Sequence, residues 1–224
     1  MCCRVTLVRK IGDVIEIICP DKVPEAVRNF KPTFNSSPGQ LLPLLLRENG
    51  STSMELMLWG IKNNFSSGSA SFYNARMENL NVKKSFRHLM ASNRAILLTD
   101  GYFEWKNDDG RKIPYYIRKP GGGLVPMAAL WTEGVLGNEF TVITREPLDE
   151  IRFIHDRMPA ILDDDSMAAW IDPSSRPADA MDILETFTGS LEFYTVSQHV
   201  NSTANNSAEC IRRTEYSTTP DLFM

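Results

Sequence analysis

The sequence predicts an α+β fold whose core is a mainly antiparallel, curled, barrel-like β-sheet with a few flanking helices. Three observations carry this. Apolar runs of strand length recur along the 224 residues. Clusters of Gly, Pro, Asn and Asp separate them, and only three stretches show helical spacing. With neither an internal repeat nor a linker in sight, residues 1–224 are expected to form one domain.

Taken in order, Arg4 to Val8 alternates as a short strand, and the apolar run Val14 to Ile18 reads as a second. Phe34 to Gln40 is rich in turn residues and reads as a loop leading into the apolar Leu41 to Leu46. Met54 to Trp59 reads as a strand ending at Gly60, and Lys62 to Ser71 as a long exposed loop carrying Phe65. Asn79 to Ser92 has helical spacing, with Asn79 or Asn81 as the expected N-cap. Five strands are expected next: Ala95 to Thr99, Tyr102 to Lys106, Ile113 to Arg118, Val125 to Trp131 and Phe140 to Thr144. Asn107 to Gly110 and Pro120 to Gly123 look like hairpin turns between them. Asp165 to Ile171 and Pro177 to Thr188 read as helices, and Leu191 to Val196 as the last strand.

Composition is that of a globular protein, 42% hydrophobic and 23% charged. The four cysteines, Cys2, Cys3, Cys19 and Cys210, form no CxxC pair, and His88, His155 and His199 are scattered, so neither a metal site nor a cofactor is expected. No apolar run reaches membrane-spanning length and no secretion signal opens the chain. An intracellular location with free thiols is the expectation, cytoplasmic or nucleoid-associated in a bacterium and nuclear in a eukaryote. A net charge of −4 argues against generic nucleic-acid affinity. Residues 83–119 run the other way, with nine basic residues against four acidic, which suits either a solvated face or a phosphate-facing side.

Cys2 follows the initiator Met, whose removal would leave a cysteine bearing a thiol and a free α-amine on one residue. That amine titrates near 7.7–8.0, so roughly a tenth of it is neutral at pH 7, far more than for a lysine. A neutral amine attacks carbonyls, and the adjacent thiol can add to the resulting imine and close a five-membered thiazolidine. Three internal stretches hold polar groups in apolar settings. In Asn74-Ala75-Arg76 the carboxamide can orient a nucleophile and the guanidinium suits a phosphate, though a surface turn reads the same way. In Gly101-Tyr102-Phe103-Glu104-Trp105 the aromatics desolvate Glu104, unless it is a solvent-facing residue of a half-buried strand. His155, followed by Asp156, Arg157, Met158 and Pro159, is either a proton shuttle or a histidine holding a loop.

Together with Phe34-Asn35, Pro38-Gly39, Trp59-Gly60, Val196-Ser197 and Val200-Asn201, these motifs run in order from residue 1 to about 212. In this the chain resembles the SRAP (SOS-response-associated peptidase) family. The resemblance implies a protein that binds single-stranded DNA, including single-strand/double-strand junctions, and crosslinks covalently to abasic sites, acting as a monomer. It implies Cys2 as nucleophile, Asn74 orienting it, Glu104 as general acid and base, and His155 assisting near the deoxyribose hydroxyls. It further implies Arg4, Asn35, Phe65, Arg76 and Arg157 as DNA contacts, with Arg76 on the phosphate beside the lesion. The "peptidase" of the name refers to removal of residues ahead of the cysteine. Two departures stand out: Cys3 replaces a Gly, and Ile61 to Phe65 replaces a Pro- and Trp-bearing loop, leaving Phe65 to stack with less area. Two other functions fit the same residues. One is an N-terminal-nucleophile or thiol hydrolase built on Cys2, and the other is a non-covalent single-strand binder.

Overall fold

The computed structural model describes residues 3–62, 71–135 and 137–215. The chain opens with β1 (Val5–Leu7), then α1 (Ile11–Ile18) and the single turn α2 (Glu25–Arg28). Val14 to Ile18 is therefore helix, not strand. Ile11, Val14, Ile15 and Ile18 recur at helical spacing and turn one face inward, and Cys19 stops the helix in the left-handed region at φ 48°. Next come β2 (Thr33–Ser36), β3 (Leu41–Glu48) and β4 (Ser51–Trp59). β2 occupies part of the stretch expected to be loop, because its backbone pairs with β1.

β5 (Ile61–Lys62) and β6 (Ser71–Phe72) pair with each other, and β7 (Asn74–Arg76) follows. The expected loop between residues 62 and 71, Phe65 with it, lies outside the described residues. α3 (Lys84–Ser92) starts later than its spacing suggested: Met77–Asn79 is a 3-10 turn, and Lys83, with no side-chain cap, precedes the helix. Its inward residues Phe86, Leu89 and Met90 are the periodic ones. β8 (Arg94–Leu97), β9 (Gly101–Asp108), β10 (Arg111–Arg118), β11 (Met127–Gly134) and β12 (Gly137–Arg145) match the five expected strands. The chain then adds β13 (Met158–Pro159), α4 (Asp164–Trp170), α5 (Pro177–Ile183) and β14 (Glu192–Thr195). None of the helices among the described residues is long and apolar enough to cross a membrane.

Five strands, in the order β11, β8, β3, β4, β12, close on themselves through the β11–β12 pair and form a barrel. The β4–β12 pairing is parallel and the other four are antiparallel. A second, fully antiparallel sheet has the order β14, β10, β9, β1, β2. Of the two expected hairpin turns, Asn107 to Gly110 joins β9 to β10 with Asp109 and Gly110 both at positive φ. Pro120 to Gly123 instead carries the chain from the second sheet to the barrel, since β10 and β11 belong to different sheets.

Strand alternation sorts the core. Leu42, Leu44 and Leu46 of β3 pack with Met57, Trp59, Phe140 and Val142, and with Val5, Tyr102 and Ile117 from the second sheet. Leu45, Ile96, Leu130 and Ile143 face α1, α3, α4 and α5. Both faces of the barrel wall are thus covered, which is why β3 reads as an unbroken apolar run. Arg94, one of the nine basic residues expected on a surface, is buried. Its guanidinium donates to the main-chain oxygens of Met90, Ala91, Trp170, Asp172 and Ser175, closing the C-terminal ends of α3 and α4.

One tight contact fixes the start of β9. Asp100 accepts from the main-chain N–H groups of Val8 and Arg9 and from the Thr6 hydroxyl, which in turn meets the Tyr116 hydroxyl at 2.8 Å. A Cβ at Gly101 would stand 2.3 Å from that Tyr116 oxygen. Gly101→Ala should therefore cost about 1–3 kcal/mol by overpacking. Gly12→Ala, in open space on α1, should gain about 0.5 kcal/mol through helix propensity. Urea unfolding of both variants beside the wild type checks the pair, and equal stabilities would contradict this packing.

Candidate active site

β12 holds the site together. Past Val142 it leaves β11, and the 158–161 segment wedges between the two strands: Ala160 donates to Ile143 O at 2.9 Å and accepts from Ala128 at 2.8 Å. On its other side β12 pairs with β7, Val142 opposite Asn74 and Thr144 opposite Arg76. Asn74 and the residues just ahead of β13, His155 among them, are thereby carried on either side of one strand.

Within β7 the buried Ala75 faces the core, so Asn74 and Arg76 share the opposite face, and Arg76 is exposed there. Asn74 Nδ2 donates to Cys3 Sγ at 3.5 Å, linking the barrel to the segment that enters β1. Its Oδ1 is buried with no hydrogen-bond donor among the described residues.

A cleft of about 390 Å³ opens beside this contact, lined by Cys3, Arg4, Glu104, Trp105, Lys112, His155 and Asn201. Glu104 shares a face of β9 with Tyr102, which packs in the core, and is only 2% exposed. Burial pushes its carboxyl up to about 7. Burial also raises the Cys3 thiol and lowers the His155 imidazole. All three shifts favour the uncharged form. At His155 two contacts compete for Nδ1, the Arg157 main-chain N–H at 2.9 Å and the Asp156 carboxylate at 2.9 Å. The amide can only donate, and Asp156 is exposed to solvent that screens its charge. In the uncharged ring that burial favours, Nδ1 accepts from this amide and the proton sits on Nε2.

The remaining expected site residues divide. Arg4 lines the cleft, and its guanidinium donates to Asn35 Oδ1 at 2.9 Å, Val200 O at 2.8 Å and Asn201 O at 3.1 Å, with Trp105 5.9 Å away. Asn35 lies behind it, 1% exposed, and its Nδ2 faces the main-chain oxygens of Val200, Ser202 and Asn205. Arg157 is also internal. Its fork donates to Glu78 at 2.5 and 2.9 Å and to Thr144 O at 2.5 Å, tying the turn after β7 to the strand wedge. Asn35 and Arg157 thus brace the site from within. Cys2 lies outside the described residues. Lys112, Asn201 and Glu78 escaped the sequence reading of the site. Each left a signal: Asn201 stood in the Val200-Asn201 motif, Lys112 in the basic 83–119 run, and Glu78 just after Asn74-Ala75-Arg76 with the opposite charge to Arg157.

Against this geometry, the family model for SOS response associated peptidase (SRAP) matches residues 1–203. The chain belongs to the SRAP family. It is 33% identical over 223 residues to abasic site processing protein YoqW of Bacillus subtilis, covering 94% of this chain and 99% of that one. Abasic site processing protein HMCES of Gallus gallus is 28% identical, covering 84% of this chain and 68% of that one. A crystal structure of a Bacteroides thetaiotaomicron protein superposes with a TM-score of 0.83 at 21% identity, covering 96% of this chain and all, 100%, of that chain. The SRAP fold is therefore shared well beyond close sequence similarity.

Burying Glu104 has a cost with a definite sign. In the unfolded chain it ionises near 4.5, in the fold near 7. Between those values the folded state keeps a proton that the unfolded state releases, so stability falls as pH rises through this window. The loss, complete above about pH 7, amounts to about 3 kcal/mol. Glu104→Gln should remove that slope and melt higher than the wild type at alkaline pH. Thermal melts of both proteins across the window test this, and an unchanged slope would refute the burial argument.

Proposed function

We propose that this protein captures abasic sites in single-stranded DNA covalently through Cys2, once Met1 is removed. The reading rests above all on Glu104: a carboxyl near 7, in the same cleft as the residue after Cys2, is half protonated where such chemistry must run. The names of its relatives, abasic site processing proteins, point the same way.

An abasic sugar in its ring-opened form is an aldehyde. The Cys2 amine attacks its C1′ carbon, and the carbinolamine loses water to give an imine. Glu104 in its acid form gives the proton that lets the hydroxyl depart. The Cys2 thiol then adds to the same carbon, its proton ends on the nitrogen, and a thiazolidine closes. Asn74, whose buried Oδ1 accepts from no described residue, would take an amine N–H and hold the nucleophile in register. His155, with its proton on Nε2, would donate to a sugar hydroxyl. Arg76, exposed on the same face of β7 as Asn74, would meet a phosphate, and Lys112 would add charge at the cleft. Arg4 and Asn35 would act by holding the 200–205 loop under the DNA path, and Arg157 by holding His155. Phe65 would stack on a base beside the lesion.

The test is a denaturing gel of untagged protein with a single-stranded oligonucleotide carrying one abasic site. A heat-stable shifted band, absent with Cys2→Ala or with an N-terminal extension, is expected. A band that survives in Cys2→Ala would overturn the assignment. Repeated release of a cleaved peptide without DNA would favour a hydrolase instead. The single-turnover rate should be bell-shaped in pH, rising as the amine loses its proton near 7.7–8.0 and falling as Glu104 ionises near 7. Glu104→Gln should slow capture and abolish the falling limb.

A further inference from the structure

A second cavity, of about 580 Å³, shares no residue with the cleft. It is lined by Arg9, beyond the end of β1, whereas Cys3 and Arg4 precede that strand. Its floor is apolar: Leu45, Leu124, Met167 and Ile171 line it. Ile17, on the solvent side of α1, extends the same surface and is 56% exposed.

The charged lining is three cations, Arg9, Arg47 and Lys119, against the single acid Asp164. That is the reverse of a chain whose net charge is −4. Among the described residues neither the Arg9 nor the Arg47 guanidinium has an ion pair or hydrogen bond, and the Lys119 ammonium sits over the face of Phe187, at 5.9 Å, within reach of the charge of Asp163 but not ion-paired to it. Asp21 and Asp172 feel the charge of Arg47, and Asp163 that of Lys119, but none of the three is ion-paired to these cations among the described residues; their carboxylates accept from Thr52, Ser174 and Ser166 instead. Half-buried cations over an apolar floor attract an anion that also brings apolar bulk. A phosphate backbone would satisfy the cations and leave the floor wet.

We infer that this cavity docks an acidic peptide segment of a partner protein, one carrying bulky apolar side chains between its carboxylates. The apolar side chains fill the floor and the carboxylates meet Arg9, Arg47 and Lys119. The inference is independent of the abasic-site chemistry, since it uses no residue of the cleft.

The experiment is fluorescence anisotropy of the full chain with a short dye-labelled peptide alternating Glu with Leu and Phe. A matched peptide with Lys in place of Glu is the control. Saturable binding of the acidic peptide alone is expected, weakening as salt rises. Arg47→Glu should weaken it about tenfold, and Met167→Asp should abolish it, with melting curves confirming that both variants are folded. The proposal is overturned if the acidic peptide fails to bind the folded wild type, or if Arg47→Glu binds as well as the wild type. Displacement of the peptide by intact single-stranded DNA would likewise overturn it in favour of a nucleic-acid contact. Light scattering showing a dimer that Met167→Asp dissolves would overturn it in favour of a second copy of the chain.

Discussion

The whole arrangement depends on β12 having more neighbours than a single strand position allows. Its first half closes the barrel between β11 and β4. Its second half leaves β11, and the vacated hydrogen-bonding edge is taken by the segment behind His155 while β7 takes the other. Backbone hydrogen bonds must be satisfied in a buried sheet. The need to fill those edges is what brings two distant stretches, residues 74–76 and 155–161, to one place. The Arg157–Glu78 fork then locks them to each other.

The second sheet supplies the other half of the cleft. β1 and β9 pair over only two residues, Val5 with Tyr102 and Thr6 with Gly101. That short contact suffices because Asp100 and Tyr116 brace it, and because Gly101 leaves the Tyr116 hydroxyl room. Burial of Glu104 follows directly, since its face of β9 looks onto the core that carries Tyr102. The fold gives up stability at neutral pH to keep an acid there, a cost that a solvent-facing glutamate would not carry. The same desolvation favours the uncharged form of His155, so near Glu104 and His155 the cleft presents hydrogen-bond donors and acceptors, with its fixed positive charge on Arg4 and Lys112.

Much of this was legible beforehand. The β9–β10 hairpin announced itself through Asn107 to Gly110, where two positive φ angles call for those residue types. The strands around Met57, Ile96 and Val142 were readable from their apolar runs, and the apolar run around Leu42 proved to be a strand as well. Failures came where a short run fits two periods. Val14 to Ile18 is five residues long and mostly apolar, so only the inclusion of Ile11, at helical spacing, separates helix from strand. The Pro120 to Gly123 turn looked like any hairpin, because local residues encode a reversal without saying which sheet receives the next strand. Among site residues, Asn74, Glu104 and His155 stood out as polar groups in apolar settings, and the cleft and its Cys3 contact gather them. The internal partners of Arg157 and Asn35 were not legible, because a guanidinium reads the same whether it meets a phosphate or a carboxylate 79 residues away, and a carboxamide the same whether it meets a ligand or main-chain oxygens.

By itself, the sequence determined the family and the strand-rich fold, because these rest on residue type and local spacing. Only the tertiary structure decided which cations face solvent and which, like Arg94, close helix ends inside. It alone decided that Glu104 titrates near 7 and that a cationic apolar cavity lies away from the cleft. Each of these depends on what surrounds a side chain in space, and desolvation and charge pairing are sums over neighbours that a linear chain does not list.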